Sequence, residues 1–196
     1  MVKRIGILGD IGSGKSFVAR QFGYPIFNAD KEVNKIYSKN RTCFKKLKKK
    51  LPKYIKSYPI NKTYLSNAIL EDNRNLKKIV NIVHPLIRKK LNSFLKKNFK
   101  KKIVILDIPL LIENKLNKKK DILVFVEAKK KEINLRLKKR INYNKKLLDN
   151  FRKIQKPLAF KKKLSTYIIK NNFKLSTIKK NIKIIKYKII NERNST

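Results

Sequence analysis

At 196 residues and 41% hydrophobic content, the chain is long enough for one large domain with a sizeable core. It has no apolar run of about 18 residues, which argues against a transmembrane helix, and its single cysteine, Cys43, excludes an internal disulfide and a cysteine-based zinc site. Fifty-four Lys+Arg against twelve Asp+Glu give a formal charge of +42, a property that bears on solubility and non-specific binding to polyanions rather than on fold.

Residues 2–8 predict a first strand, with Arg4-Ile5-Gly6-Ile7-Leu8 short and apolar enough to be buried. Because the chain enters that strand so early, it lacks the charged-then-apolar build of a signal peptide, and a cytoplasmic protein is expected. Gly9-Asp10-Ile11-Gly12-Ser13-Gly14-Lys15-Ser16 follows and fits G-x-x-x-x-G-K-[ST] at every required position. Only five glycines occur in the chain, and three of them lie in this loop. A helix is predicted over about 15–22. A glycine-rich turn between strand and helix aims backbone N–H groups at one spot, at the positive end of the helix dipole, which suits phosphate. In this pattern Lys15 reaches the β- and γ-phosphates of a nucleotide and the Ser16 hydroxyl ligates Mg²⁺.

Pro25-Ile26-Phe27-Asn28 predicts a second short strand, and Asp30 follows at its end. Working residues of open α/β sheets sit beyond the carboxyl ends of strands, which places Asp30 near the phosphate loop, although it also suits the N-cap of a helix over 31–37. Residues 31–100 read as a helical insertion with lysine faces and apolar spacing such as Leu76, Ile79, Val80 and Val83. Pro52 and Pro59 mark a loop there. His84-Pro85 is expected to interrupt the helical pattern, with a new helix resuming at Leu86. His84, the only histidine, suits a structural role or contact with substrate.

Lys102–Asp107 predicts a β-branched strand ending in a carboxylate, the build of a second acidic strand in which Asp107 supports Mg²⁺ or its waters. Residues 121–128 predict another buried strand. Lys129 to about Asn150 reads as one helix with Arg136 and Arg140 at i, i+4, suited either to gripping phosphate or to a solvated basic face. Tyr167-Ile168-Ile169 predicts a last strand, Asn171-Asn172 a loop, and 175–190 an amphipathic terminal helix. Lysine runs, among them 161–163, are expected to be solvated. Lysines are spread along the whole chain, which is rich in Asn and Ile and has no Trp. A/T-rich coding produces that pattern, so the charge is read first as compositional, with real attraction to polyanions, a highly charged nucleotide substrate included, as the alternative.

In order and spacing these pieces resemble the dephospho-coenzyme A kinases over about residues 2–175. Ile7–Ser16 looks like the family's phosphate loop, and Asn28-Ala29-Asp30 like its Asp-Ala-Asp. Ile82–Arg88 is similar to its His-Pro segment, and Leu106-Asp107-Ile108-Pro109-Leu110-Leu111-Ile112-Glu113 to its Asp-x-Pro-Leu-Leu-x-Glu stretch. Arg136 and Arg140 fall at the lid arginines, and Ile154-Gln155 and Ile168–Asn171 at the nucleotide-side segments. Four positions depart from the pattern. Asn28 replaces a carboxylate and cannot act as a base, Phe17 replaces a hydroxyl residue, Lys62 an arginine, and Phe173 a glycine.

The resemblance implies an α/β P-loop kinase fold: a central parallel sheet flanked by helices, a helical substrate-binding insertion and a helical lid. It implies a single domain over 1–196, with the core at about 1–30, 101–128 and 151–196, the acceptor-binding insertion at about 31–100 and the lid at about 129–150. It implies transfer of the ATP γ-phosphate to the ribose 3′-hydroxyl of dephospho-coenzyme A, with ATP and Mg²⁺ as cofactors. In that scheme Ile11, Gly12, Ser13, Gly14, Lys15, Ser16, Phe17 and Asn171 bind nucleotide, and Ser16 and Asp107 hold the metal. Asp30 orients or accepts the hydroxyl proton, and Arg140 closes with Arg136 over the phosphates. His84 and Arg88 hold the acceptor alongside Asp30, Asp107 and Arg136. No specific nucleic acid, no membrane and a monomeric state are expected. The alternatives are another P-loop small-molecule or nucleoside monophosphate kinase and, in a different class, a basic nucleic-acid-binding protein.

Overall fold

The computed structural model describes residues 2–141 and 143–191. Met1 and 192–196, at the ends of the expected core range, and Asn142, in the expected lid, lie outside them. The chain divides into two compact units. The first comprises Met1–Asn28, Asn98–Tyr143 and Gln155–Thr196, and the second Ala29–Lys97 and Asn144–Ile154.

The first unit is built on a sheet of five strands: β1 (Lys3–Gly9), β2 (Ile26–Asn28), β3 (Ile103–Asp107), β4 (Ile122–Glu127) and β5 (Tyr167–Lys170), in the order β2-β3-β1-β4-β5. Every pairing is parallel. A parallel sheet covered on both faces needs strands that are apolar throughout, and all five residues of β3 are buried. One face is covered by α1 (Lys15–Gln21) and α9 (Leu175–Asn191). Val18 and Ala19, with Phe22 just past α1, pack there with Ile178, Ile182, Ile185 and Ile189 against Ile5, Ile7, Ile105, Val124 and Val126. The three- and four-residue spacing of the α9 isoleucines makes the apolar stripe that the amphipathic pattern predicts. The α/β fold with a central parallel sheet is therefore as expected.

Two features of this unit were not legible. A short helix, α8 (Leu158–Leu164), packs over β1 and β4. It buries Lys161, which contradicts the expectation of a solvated lysine run at 161–163. The Lys161 side chain is 1% exposed. Its ammonium pairs with Glu113 Oε1 at 2.7 Å and donates to Gln155 Oε1 at 2.9 Å. Glu113 Oε1 also accepts from the Lys156 backbone N–H at 2.8 Å. Removing one member of a buried pair strands the other charge. Glu113→Ala is therefore expected to lower stability by about 3–5 kcal/mol in urea unfolding, while Glu113→Leu combined with Lys161→Met recovers most of the loss.

The expected helix over 129–150 is two helices, α6 (Lys130–Lys138) and α7 (Lys145–Lys153). Arg140 and Tyr143 close a turn between them, with the Tyr143 N–H donating to Arg140 O at 3.0 Å. The Asn144 side chain then caps α7 by accepting from the Leu147 N–H at 2.9 Å. Arg140 is thus in a turn beyond α6, not at i, i+4 with Arg136 on one helix. The division of the chain falls at the same place, with α6 in the first unit and α7 in the second.

The second unit is helical: α2 (Ala29–Lys39), α3 (Arg41–Lys50), α4 (Lys62–Glu71), α5 (Arg74–Lys97) and α7. Here α5 is the central element, packed by α2, α3 and α4. It runs unbroken through Pro85, which contradicts the expected interruption at His84-Pro85. Its buried stripe Leu76, Ile79, Val83, Ile87 and Leu91 continues on both sides of the proline. That burial outweighs the backbone hydrogen bond that proline removes. Helix α2 also begins two residues earlier than expected, so Asp30 lies within its first turn rather than before it.

Candidate active site

The chain leaves the carboxyl end of β1 toward β2 on one side of the sheet, and leaves the carboxyl end of the neighbouring β3 toward β4 on the other. Such switch points leave a crevice for ligands. The loop from Gly9 to Ser16 fills this position. Gly14 caps α1 with φ 89° and Gly12 has φ 87°, left-handed values that glycine adopts without strain. Both glycines are also crowded. A Cβ on Gly12 would lie 2.9 Å from Leu137 Cγ and 3.0 Å from Ile133 Cγ2 of α6, and one on Gly14 would collide with the Asn171 amide.

The loop is held from within and from β5. The Lys15 ammonium donates to Asp10 O at 2.7 Å and Gly9 O at 3.2 Å. The Ile11 N–H donates to Asp10 Oδ1 at 2.6 Å, and the Ser13 N–H to Asp10 O at 3.2 Å. Asn171, buried just after β5, donates its side-chain N–H to Ser13 O at 2.7 Å. Ser13 Oγ is buried with no hydrogen-bond partner among the described residues. Ser16 and Phe17, in the first turn of α1, are half-buried.

Asp107 ends β3, directly opposite Asn28 at the end of β2. Its carboxylate is buried and accepts from Asn28 Nδ2 at 2.5 Å. An amide at position 28 thus donates where a second carboxylate would repel, and Asp107 is oriented by it. Arg136, in the last turn of α6, and Arg140 beyond it are both exposed. The Arg136 guanidinium stacks on the Phe173 ring, 4.2 Å from its centroid.

The remaining expected site residues belong to the second unit. Asp30 is exposed in the first turn of α2, followed by Glu32. The positive end of the helix dipole favours an ionised carboxylate at that position. His84 and Arg88 are one turn apart on α5, the histidine half-buried and the arginine exposed.

The His84 imidazole titrates below its ordinary 6.5, first because burial disfavours the charged form and second because Arg88 repels it. A folded-state pKa below the unfolded one means that the unfolded chain takes the proton first. The stability tied to neutral His84 is complete above pH 6.5 and is lost as pH falls through the folded value. An NMR titration of the ring protons is expected to give a midpoint below 6.5, with thermal stability declining over the same window.

Two contacts escaped the sequence reading. Glu113 stands in a recognised motif but had no assigned partner, because Lys161 is hidden among many similar lysines. Phe173 is conspicuous as an aromatic after Asn171-Asn172, but nothing in the sequence indicates that it touches Arg136.

The chain matches the protein-family model described as "Dephospho-CoA kinase" over residues 3–177. It is similar to a dephospho-CoA kinase of Wolbachia sp. subsp. Brugia malayi, with 33% identity over 170 residues covering 84% of this chain and 87% of that one. Its fold is similar to a crystal structure from Thermus thermophilus, with a TM-score of 0.76 and 25% identity over 95% of this chain and 97% of that one. A dephospho-CoA kinase from Campylobacter jejuni shares the fold at a TM-score of 0.60 and 23% identity, over 94% of this chain and 96% of that one.

Proposed function

The chain belongs to the dephospho-CoA kinase family, and on that premise we propose that its first unit binds ATP and its second unit binds dephospho-CoA, whose ribose 3′-hydroxyl receives the γ-phosphoryl group. The observation that carries the ATP assignment is the loop itself: two crowded left-handed glycines and a lysine ammonium already turned onto the loop carbonyls. A Cβ at either glycine would run into Leu137 and Ile133 or into the Asn171 amide and force the loop out of shape, and the sheet places the loop at a ligand crevice.

Mg²⁺ fits the residues present. Ser16 and Asp107 offer hard oxygen ligands. No cluster of three or more His, Cys, Asp or Glu residues suited to a metal occurs among the described residues. That suits an ion held by one or two protein oxygens, phosphates and water rather than a dedicated protein cage. When bound, Mg²⁺ neutralises charge on the β- and γ-phosphates.

The protein's own groups then have distinct tasks. The Lys15 ammonium leaves the carbonyls of Gly9 and Asp10 for the transferring phosphoryl oxygens. Backbone N–H groups of the Ile11–Phe17 stretch hold the other phosphates, and Asn171 keeps the loop in shape through Ser13. Asp30 accepts a hydrogen bond from the ribose hydroxyl and takes its proton as the bond to phosphorus forms. Arg136 and Arg140, on α6 and the turn after it, close over the phosphates as a lid and keep out water that would otherwise take the phosphoryl group. His84, neutral at pH 7, and Arg88 hold the acceptor. On this reading the enzyme works as a monomer in the cytoplasm, and the +42 charge raises the local concentration of two polyanionic substrates.

The test is ADP release with a panel of acceptors: dephospho-CoA, AMP, CMP, shikimate and water. Turnover with dephospho-CoA well above every other acceptor is expected. Preference for a nucleoside monophosphate would overturn the acceptor assignment while leaving the ATP assignment in place.

A further inference from the structure

Phe173 has φ 60°, a left-handed conformation that is rare for a bulky aromatic side chain. Outliers of this kind persist where their surroundings over-determine them, and they cluster at functional sites. The surroundings here are specific. The Phe173 N–H donates to Asn171 Oδ1 at 2.8 Å, and the other end of that side chain holds Ser13 O of the phosphate loop at 2.7 Å. The ring edge lies over the start of α1, with Cε1 3.4 Å from where a Cβ of Gly14 would be. The ring face carries the Arg136 guanidinium, 4.2 Å from its centroid. One side chain thus joins the nucleotide loop to an arginine of α6. A simple plug would need neither the strained backbone nor the stacked cation.

We propose that Phe173 is a positioning residue that docks the Arg136 guanidinium beside the phosphate loop before nucleotide arrives. An arginine side chain loses much rotamer freedom when it is fixed on a ligand. Stacking on the ring removes part of that loss in advance, because the planar cation is attracted to the aromatic face. The benefit is to nucleotide binding and not to the transfer step. The inference rests on the reading above that the loop holds ATP and that Arg136 contacts its phosphates.

Steady-state kinetics of the full chain test it with Phe173→Gly, Phe173→Tyr, Arg136→Ala and the Phe173→Gly/Arg136→Ala pair. Glycine relieves the left-handed strain, so Phe173→Gly is expected to unfold at the parent temperature or above. It should nevertheless raise KM for ATP about two- to fivefold, the fold-change that an exposed cation–π contact supports. The kcat value and KM for dephospho-CoA should stay within about twofold. Tyrosine should restore KM. The double variant should be no worse than Arg136→Ala alone, because Phe173 acts only through that arginine. An unchanged KM for ATP in Phe173→Gly, or effects that multiply in the double variant, would overturn the proposal.

The chain contains no tryptophan, so Phe173→Trp introduces a single indole. Its emission, titrated with ADP, should change saturably without any turnover. A flat emission in a variant that still turns over would count against the proposal. A saturable response in a protein that fails to phosphorylate dephospho-CoA would support it and overturn only the acceptor assignment.

Discussion

Lys15→Ala is expected to lower kcat/KM by about a hundred- to a thousandfold, a loss of roughly 3–4 kcal/mol of transition-state stabilisation. The magnitude follows from where charge develops. Phosphoryl transfer offers little covalent work for a protein, so catalysis is mostly positioning and electrostatics in a site that excludes water. The ammonium of Lys15 rests on the carbonyls of Asp10 and Gly9, at 2.7 and 3.2 Å. Those two bonds are lost in the variant as well, so the free loop is looser and KM for ATP rises along with the fall in kcat. Lys15→Arg keeps the charge but replaces a compact point donor with a planar fork, and it should recover only part of the loss. Steady-state kinetics with both substrates varied separate the two effects. A variant within about threefold of the parent would remove Lys15 from the transition state.

Asp30→Asn is expected to lower kcat by about a hundred- to ten-thousandfold while leaving ATP affinity nearly unchanged. The substitution preserves shape and takes away the proton acceptor. It is also structurally mild, because Asp30 is exposed in the first turn of α2. The loss of a favourable dipole interaction costs about 0.3–1 kcal/mol of stability. A large fall in turnover with an intact fold and an intact KM for ATP therefore isolates chemistry on the acceptor side. Unaltered turnover would show that another group, or solvent, takes the hydroxyl proton. Asn28 does not stand in for it, because an amide has no proton-accepting carboxylate and its Nδ2 is already committed to Asp107.

Much of the fold was legible because its signals are local. The phosphate loop depends on glycines and a lysine at fixed spacing. Strands of an all-parallel sheet appear as short apolar runs, as Ile103–Asp107 and Ile122–Glu127 do. What escaped the sequence reading depends on tertiary context. Pro85 looks like a break, yet the buried stripe from Leu76 to Leu91 carries α5 through it. The cap at Asn144 that divides α6 from α7 is one asparagine among many in an Asn-rich chain. Lys161 could not be told from its neighbours Lys162 and Lys163, although only Lys161 is turned inward onto Glu113. Among the expected site residues, the positions of Lys15 at the start of α1 and of Asp107 at the end of β3 were readable from the strand and loop pattern. The stacking of Arg136 on Phe173 was not, because it joins residues from α6 and the turn after β5 that only the folded first unit brings together.

The most direct measurement is mass spectrometry of the acceptor after purified protein has been incubated with Mg²⁺, γ-¹⁸O-labelled ATP and dephospho-CoA. The account predicts an acceptor heavier by one labelled phosphoryl group, with fragmentation placing it on the ribose 3′-oxygen, and an equal amount of ADP. Unmodified dephospho-CoA beside accumulated ADP and labelled inorganic phosphate would contradict it.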